Sequence, residues 1–306
     1  MKFKSTVAVP ILLAGVFLLT AVFSLIPAEA IGLDENPYLS AIILQLVIFA
    51  IPALIFCSLR GGGEYTSNLR VRFPKPSTVL LMVCALVMMI CGGGVIDYFM
   101  SVLSPSQMAE SSAAEYAAFA MNSGLFNGLY LVLAFAILPA VTEEFLFRGI
   151  VLHEYSTRNI ACSVIISALG FAMCHFSLVR LPSYFFCGVV LAAVTYATRS
   201  IIASMIVHAA YNVVVLFFEE YILHIAQKNN ISGILLVIVM AFLTLAAAAL
   251  ASFEASALYR VYSEENYTSD HVPKKKTKFF ASLAEAVFSP SFLVLAVIYI
   301  IMVIVI

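Results

Sequence analysis

Nine apolar runs set the first constraint on this chain; they lie at 7–27, 38–59, 78–101, 125–150, 160–177, 181–198, 201–225, 231–253 and 291–306. A helix needs about 20 mostly apolar residues to cross a bilayer core roughly 30 Å thick. Lipid offers no hydrogen bonds, so each crossing segment must satisfy its own backbone, as a helix or in a closed barrel. Barrel strands alternate apolar and polar residues, and these runs do not. The expected fold is all-α: a polytopic transmembrane helical bundle of about eight or nine spanning helices. The run at 160–177 is among the shortest.

Composition agrees with that reading. Of 306 residues, 63% are hydrophobic and 11% are charged. A soluble domain is near half apolar and a quarter charged. The net charge of -1 carries no basic footprint for nucleic acid. The cysteines Cys57, Cys84, Cys91, Cys162, Cys174 and Cys187 all sit in apolar segments without a Cys-x-x-Cys pair. They read as small buried hydrophobes. Lys2 and Lys4 precede the run from Val7 to Ile26, which ends near Ala28-Glu29-Ala30. This imitates a secretory signal, but the run exceeds the usual 7–15-residue signal core, so a first transmembrane helix is expected.

Positive charge is distributed unevenly along the loops. Lys2, Lys4, Arg60, Arg70, Arg72, Lys75, Arg148, Arg158, Arg199, Arg260, Lys274–Lys276 and Lys278 fall at one set of helix ends. The stretches 28–37 and 104–124 contain neither Lys nor Arg, and only Arg180 and Lys228 stand on the other side. The positive-inside rule then places the amino terminus in the cytoplasm, in a multi-pass protein of the plasma membrane. The polar 104–124 stretch reads as a surface helix. The stretch 255–285 is the one linker, with a basic run suited to anionic lipid. Asn266 heads a glycosylation-type sequon on the expected cytoplasmic side, which makes it a chance match. The chain divides into amino-terminal helices with a surface segment (1–124), a helical core (125–225) and carboxyl-terminal helices with the linker (226–306).

Three polar islands interrupt the apolar helices: Glu143-Glu144-Phe-Leu-Phe-Arg148, Phe171-Ala-Met-Cys-His175, and His208-Ala-Ala-Tyr211-Asn212. A charge near the bilayer centre costs about 2.5–3.5 kcal/mol on insertion scales, so such groups mark working sites by default. Glu144 and Arg148 are spaced i,i+4 and can pair on one helix face. Glu143 turns about 100° away from Glu144, free to face a cavity. Pro139, four residues before Glu143, loosens the helix locally. Phe171 with His175, and His208 with Asn212, also share faces.

A carboxylate, two imidazoles and a carboxamide suit hydrolysis. Glu143 is the candidate general base on a water, His175 a partner for that water, and His208 with Asn212 candidate donors to an oxyanion. Glu144, Arg148 and Phe171 would support them. Glu143, His175 and His208 also form a conceivable zinc ligand set, although no His-Glu-x-x-His motif is present. The expected cofactor is therefore none, or one zinc ion. Competing readings are a proton-coupled transporter using the same Glu and His residues, and a non-catalytic scaffold or immunity protein. A transporter more often shows repeated halves, and none is visible here.

In this order the islands resemble the signature of the CPBP family of intramembrane proteases. That family includes the type II CAAX prenyl endopeptidases and the bacteriocin-processing or immunity (Abi) proteins. Its Glu-Glu-x-x-x-Arg motif stands here as Glu143, Glu144 and Arg148. Its Phe-x-x-x-His motif stands as Phe171 and His175, and its His-x-x-x-Asn motif as His208 and Asn212. The resemblance spans about 125–225. It implies an intramembrane endopeptidase that cleaves a membrane-associated peptide or protein. It further implies that Glu143 and His175 activate water and that His208 and Asn212 form the oxyanion site.

Overall fold

The structure, a computed structural model, describes residues 3–26, 37–104, 125–157, 159–228, 232–264 and 277–305. Most of the 104–124 stretch, the tripeptide 28–30, the Asn266 sequon, Arg158 and the run Lys274–Lys276 lie outside the described residues. Every regular element among those described is helical. In chain order these are α1 (Ser5–Leu25), α2 (Tyr38–Arg60), α3 (Gly63–Ser67), α4 (Pro76–Leu103), α5 (Gly128–Ser156), α6 (Ile160–Met173), α7 (Leu181–Thr198), α8 (Ile201–Lys228), α9 (Gly233–Glu264), α10 (Phe279–Val287) and α11 (Pro290–Val305).

Six of these helices are long and apolar enough to cross a membrane, and a seventh crossing arises if α10 and α11, bent by 61°, count as one. That is fewer than the eight or nine expected from apolar runs. One element contributes to the difference. The run at 160–177 stops being helical after Met173, leaving 14 residues. At 1.5 Å per residue that is about 21 Å, short of the hydrocarbon core.

Two spans change winding just before a proline. In α2 a wide π turn at Leu46–Ala50 precedes Pro52, and in α5 one at Leu133–Ile137 precedes Pro139. Proline has no N–H and its ring crowds the carbonyl four residues back. The wider turn accommodates that carbonyl. A third π segment, Phe145–Val151, carries Arg148.

Two apolar clusters flank the motif helices. One joins α1, α2, α5, α6 and the α10–α11 pair; the other joins α4, α7, α8 and α9. The hairpin of α6 and α7 closes on Gly188, where an added Cβ would stand 2.9 Å from the Ala168 backbone. Asn159 caps α6, its side chain accepting from the Cys162 N–H at 3.1 Å. Arg199, in the left-handed region at φ 55°, turns the chain from α7 into α8.

One end of the bundle collects the basic helix ends. Arg60 donates to the Phe3 carbonyl and to Glu154. The Ile201 N–H donates to the Arg70 carbonyl, Ser200 donates to the Arg72 carbonyl, and Asn159 donates to the Thr277 carbonyl. Lys75 and Arg199 both approach the Tyr262 ring. Among the described residues, Arg60, Arg70, Arg72, Lys75 and Arg199 thus gather at one end of the bundle.

Candidate active site

Helix α5 presents the two glutamates differently. Glu144 is fully buried, while Glu143 is half-buried. The Arg148 guanidinium, one turn on, donates to Glu144 Oε1 at 2.9 Å, both side chains being inaccessible. Its other terminal nitrogen donates to the Gly188 carbonyl on α7 at 3.0 Å. The same Glu144 Oε1 lies 3.0 Å from His208 Nδ1 on α8. One carboxylate and one guanidinium therefore tie α5 to both α7 and α8.

Glu143 is held from the opposite side. Gln45 on α2 donates through Nε2 to Glu143 Oε1 at 3.1 Å and to Thr142 Oγ1 at 2.9 Å. Thr142 in turn donates to the Leu138 carbonyl. Gln45 directly precedes the π turn of α2, which ends two residues before Pro52.

His175 follows the end of α6, in the turn that includes Phe176 at φ 47°. Its Nδ1 lies 3.0 Å from the Phe171 carbonyl. A carbonyl can only accept, so Nδ1 carries the proton and, in the neutral ring, Nε2 carries the lone pair. The Tyr184 ring from α7 stacks on the imidazole at 3.8 Å. Phe171 is the hub: its ring centroid lies 5.0 Å from that of His175, 5.6 Å from that of His208 and 4.7 Å beneath the Arg148 guanidinium. Asn212, half-buried on α8, reaches the Ala136 carbonyl of the α5 π turn at 3.4 Å.

The structure therefore links Glu144, Arg148, Phe171, His175 and His208 in one contact chain. Glu143 adjoins it on α5, and Asn212 lies one turn beyond His208. Two neighbours escaped the sequence reading: Gln45, which bonds Glu143, and Tyr184, which covers His175. Near Tyr184, Ser183 donates to the carboxylate of Asp97 on α4. An amide and a carboxylate inside apolar runs were legible anomalies of the same kind as the glutamates. Tyr184 left no comparable signal.

Among the described residues, no group of three or more His, Cys, Asp and Glu side chains is placed to hold a metal ion. The set Glu143, His175 and His208 is thus not a formed ligand cage here. One nitrogen of each histidine is already committed, to a backbone carbonyl and to Glu144. All six cysteines are free thiols, buried except for half-buried Cys174.

The comparison with known families bears on this segment. Residues 125–214 match the family model described as Rce1-like, type II CAAX prenyl endopeptidase Rce1-like. This segment is therefore similar to the CAAX-protease family. The match spans all three motifs, from the α5 region through Asn212, and it indicates a protease-type enzyme, while the long apolar helices support a multi-pass integral membrane protein. No curated protein and no solved structure matches the chain.

Proposed function

We propose that this membrane protein is an endopeptidase that hydrolyses a peptide bond of a membrane-associated protein or peptide, with Glu143 activating the water. One observation carries the reading. Within the family-matched segment, adjacent glutamates divide into a buried clasp, Glu144 with Arg148 and His208, and a half-buried carboxylate, Glu143, held by Gln45. A clasp alone needs only one of them.

In the proposed step, Glu143 takes a proton from water as its oxygen attacks the scissile carbonyl carbon. His175, with Nδ1 committed to the Phe171 carbonyl, accepts a hydrogen bond from the same water through Nε2. Negative charge develops on the carbonyl oxygen. The Asn212 amide and the second ring nitrogen of His208 are the donors proposed for it. Donation from both His208 nitrogens requires the imidazolium form. Collapse of the tetrahedral intermediate breaks the C–N bond, and Glu143 returns its proton to the departing amine. No step in this proposed sequence needs a metal. The basic face is proposed to be cytoplasmic, in the plasma membrane, by the positive-inside rule.

The test uses the purified full chain in detergent and a quenched fluorescent peptide with a carboxyl-terminal CAAX sequence, with and without a prenyl group. Cleavage by wild type and loss in Glu143→Gln are expected, with activity surviving exhaustive chelation. Equal cleavage by both proteins would refute the glutamate mechanism. Activity lost to chelation and restored by zinc would transfer the water to a metal.

A further inference from the structure

At the basic face a small pocket opens over the far side of the clasp. It is lined by Arg70, Arg148, Gly149, Leu152, His153, Ser156 and Tyr196, with a free volume of about 10 Å³, room for one water-sized group. Its polar lining consists of two guanidiniums, an imidazole and two hydroxyls, and no carboxylate borders it. The hydroxyls are already engaged, Ser156 donating to the His153 carbonyl and Tyr196 sharing a bond with Ser163. The two guanidiniums can only donate, which selects for an oxyanion rather than a cation.

The two arginines differ in how they are satisfied. Arg148 is 2% exposed and its terminal nitrogens are taken by Glu144 and the Gly188 carbonyl, but its Nε has no hydrogen-bond partner among the described residues. Arg70 is half-buried and has no carboxylate partner among those residues; its guanidinium lies 4.5 Å over the Tyr196 ring. Burial pulls the Arg70 pKa below its ordinary value. The Arg70 backbone is fixed, because its own carbonyl accepts from Ile201 at the start of α8 and the Arg72 carbonyl accepts from Ser200. An ordered, partly desolvated guanidinium facing a donor-lined pocket is prepared for a ligand that brings negative charge.

We propose that this pocket binds one oxygen of a phosphate group, supplied by a phospholipid headgroup or by free phosphate, with the Arg70 guanidinium as the outer clamp. The size agrees: one oxygen enters and the rest of the group stays outside. The place agrees as well. Ser156 ends α5, Tyr196 lies near the end of α7 and Arg70 precedes α4, so the pocket sits at helix ends on the basic face, where headgroups lie.

Native mass spectrometry of the full chain released from detergent tests this, with dioctanoylphosphatidylglycerol and inorganic phosphate as separate probes. Arg70→Gln is expected to lower adduct occupancy about tenfold, the effect of losing charge-assisted bonds. Arg260→Gln, an exposed arginine of the same face outside the pocket, is expected to stay within about twofold of wild type. If Arg70→Gln is not recovered folded, Arg70→Lys keeps the charge over Tyr196 but loses the fork, and a drop of about threefold is expected. Lipid adducts that persist in excess inorganic phosphate assign the site to the headgroup; adducts displaced by it assign the site to free phosphate. Equal losses in Arg70→Gln and Arg260→Gln, wild-type binding by an Arg70 variant, or no adduct with either probe overturn the proposal.

Discussion

Two glutamate–arginine networks, one in the interior and one at the basic face, solve the same problem under different conditions. At the face, Glu154 accepts from Arg60 at 2.7 Å, Ser5 at 2.8 Å and Tyr65 at 3.0 Å, joining α1, α2, α3 and α5. Burial and the nearby Glu154 hold the Tyr65 phenol far above its usual pKa, so it remains a donor. Both carboxylate oxygens are used. In the interior, Glu144 Oε1 takes both Arg148 and His208 where side-chain exposure is 0–5%. Beside it stands a second carboxylate with no arginine among its hydrogen-bond partners. The face network is a fastener. The interior one is a fastener with a second carboxylate attached, and we propose that this surplus is what turns a structural clasp into a working site.

The largest expected effect tests the surplus directly. Glu143→Gln should reduce peptide cleavage by about 10²–10⁴-fold, the range for removing a general base, while the unfolding midpoint in detergent stays near wild type. Glu154→Gln should leave cleavage intact; if it abolishes cleavage as Glu143→Gln does, the contrast between the regions fails.

Next comes the interior clasp. Arg148→Ala leaves Glu144 buried without its guanidinium and should cost about 3–5 kcal/mol of stability, read by denaturant titration in micelles. Unchanged stability would show that Glu144 has water or another partner. The face network should be milder. Arg60→Ala, at a pair only 12% and 9% exposed but next to solvent, should cost about 1–2 kcal/mol in the same assay. A cost equal to that of Arg148→Ala would erase the distinction between depths.

The smallest effect sharpens the comparison most. Gln45→Met fills similar space but removes the donor to Glu143. It should lower kcat about five- to tenfold with KM and stability little changed. A rise in KM alone would make Gln45 a substrate contact instead.

The legible part of the site was its anomalies. Glu143, Glu144, Arg148, His175 and His208 stand out because each is costly in lipid, and the i,i+4 spacing of Glu144 and Arg148 foretold their pair. The i,i+4 spacing of Phe171 and His175 likewise foretold their ring contact. Gln45 could have been noticed by the same criterion, but nothing local ties it to a residue 98 positions away. Tyr184 could not, since a tyrosine in an apolar helix is ordinary. Helix number was only roughly legible for a related reason. Hydropathy measures how apolar a run is, and it ran on past Met173, where the helix stops before His175.

By itself the sequence determined that this chain is an all-helical membrane protein, which residues are expensive there, and which of them share a helix face. Those properties follow from local composition and from the 3.6-residue turn. Tertiary structure alone decided that the second histidine, on α8, bonds the carboxylate of Glu144 rather than that of Glu143. It also brought Gln45 from α2 to Glu143 and gave Arg148 the carbonyl of Gly188. These contacts join helices far apart in the chain, and their partners are chosen by packing, through features such as the close approach at Gly188, which no local pattern encodes.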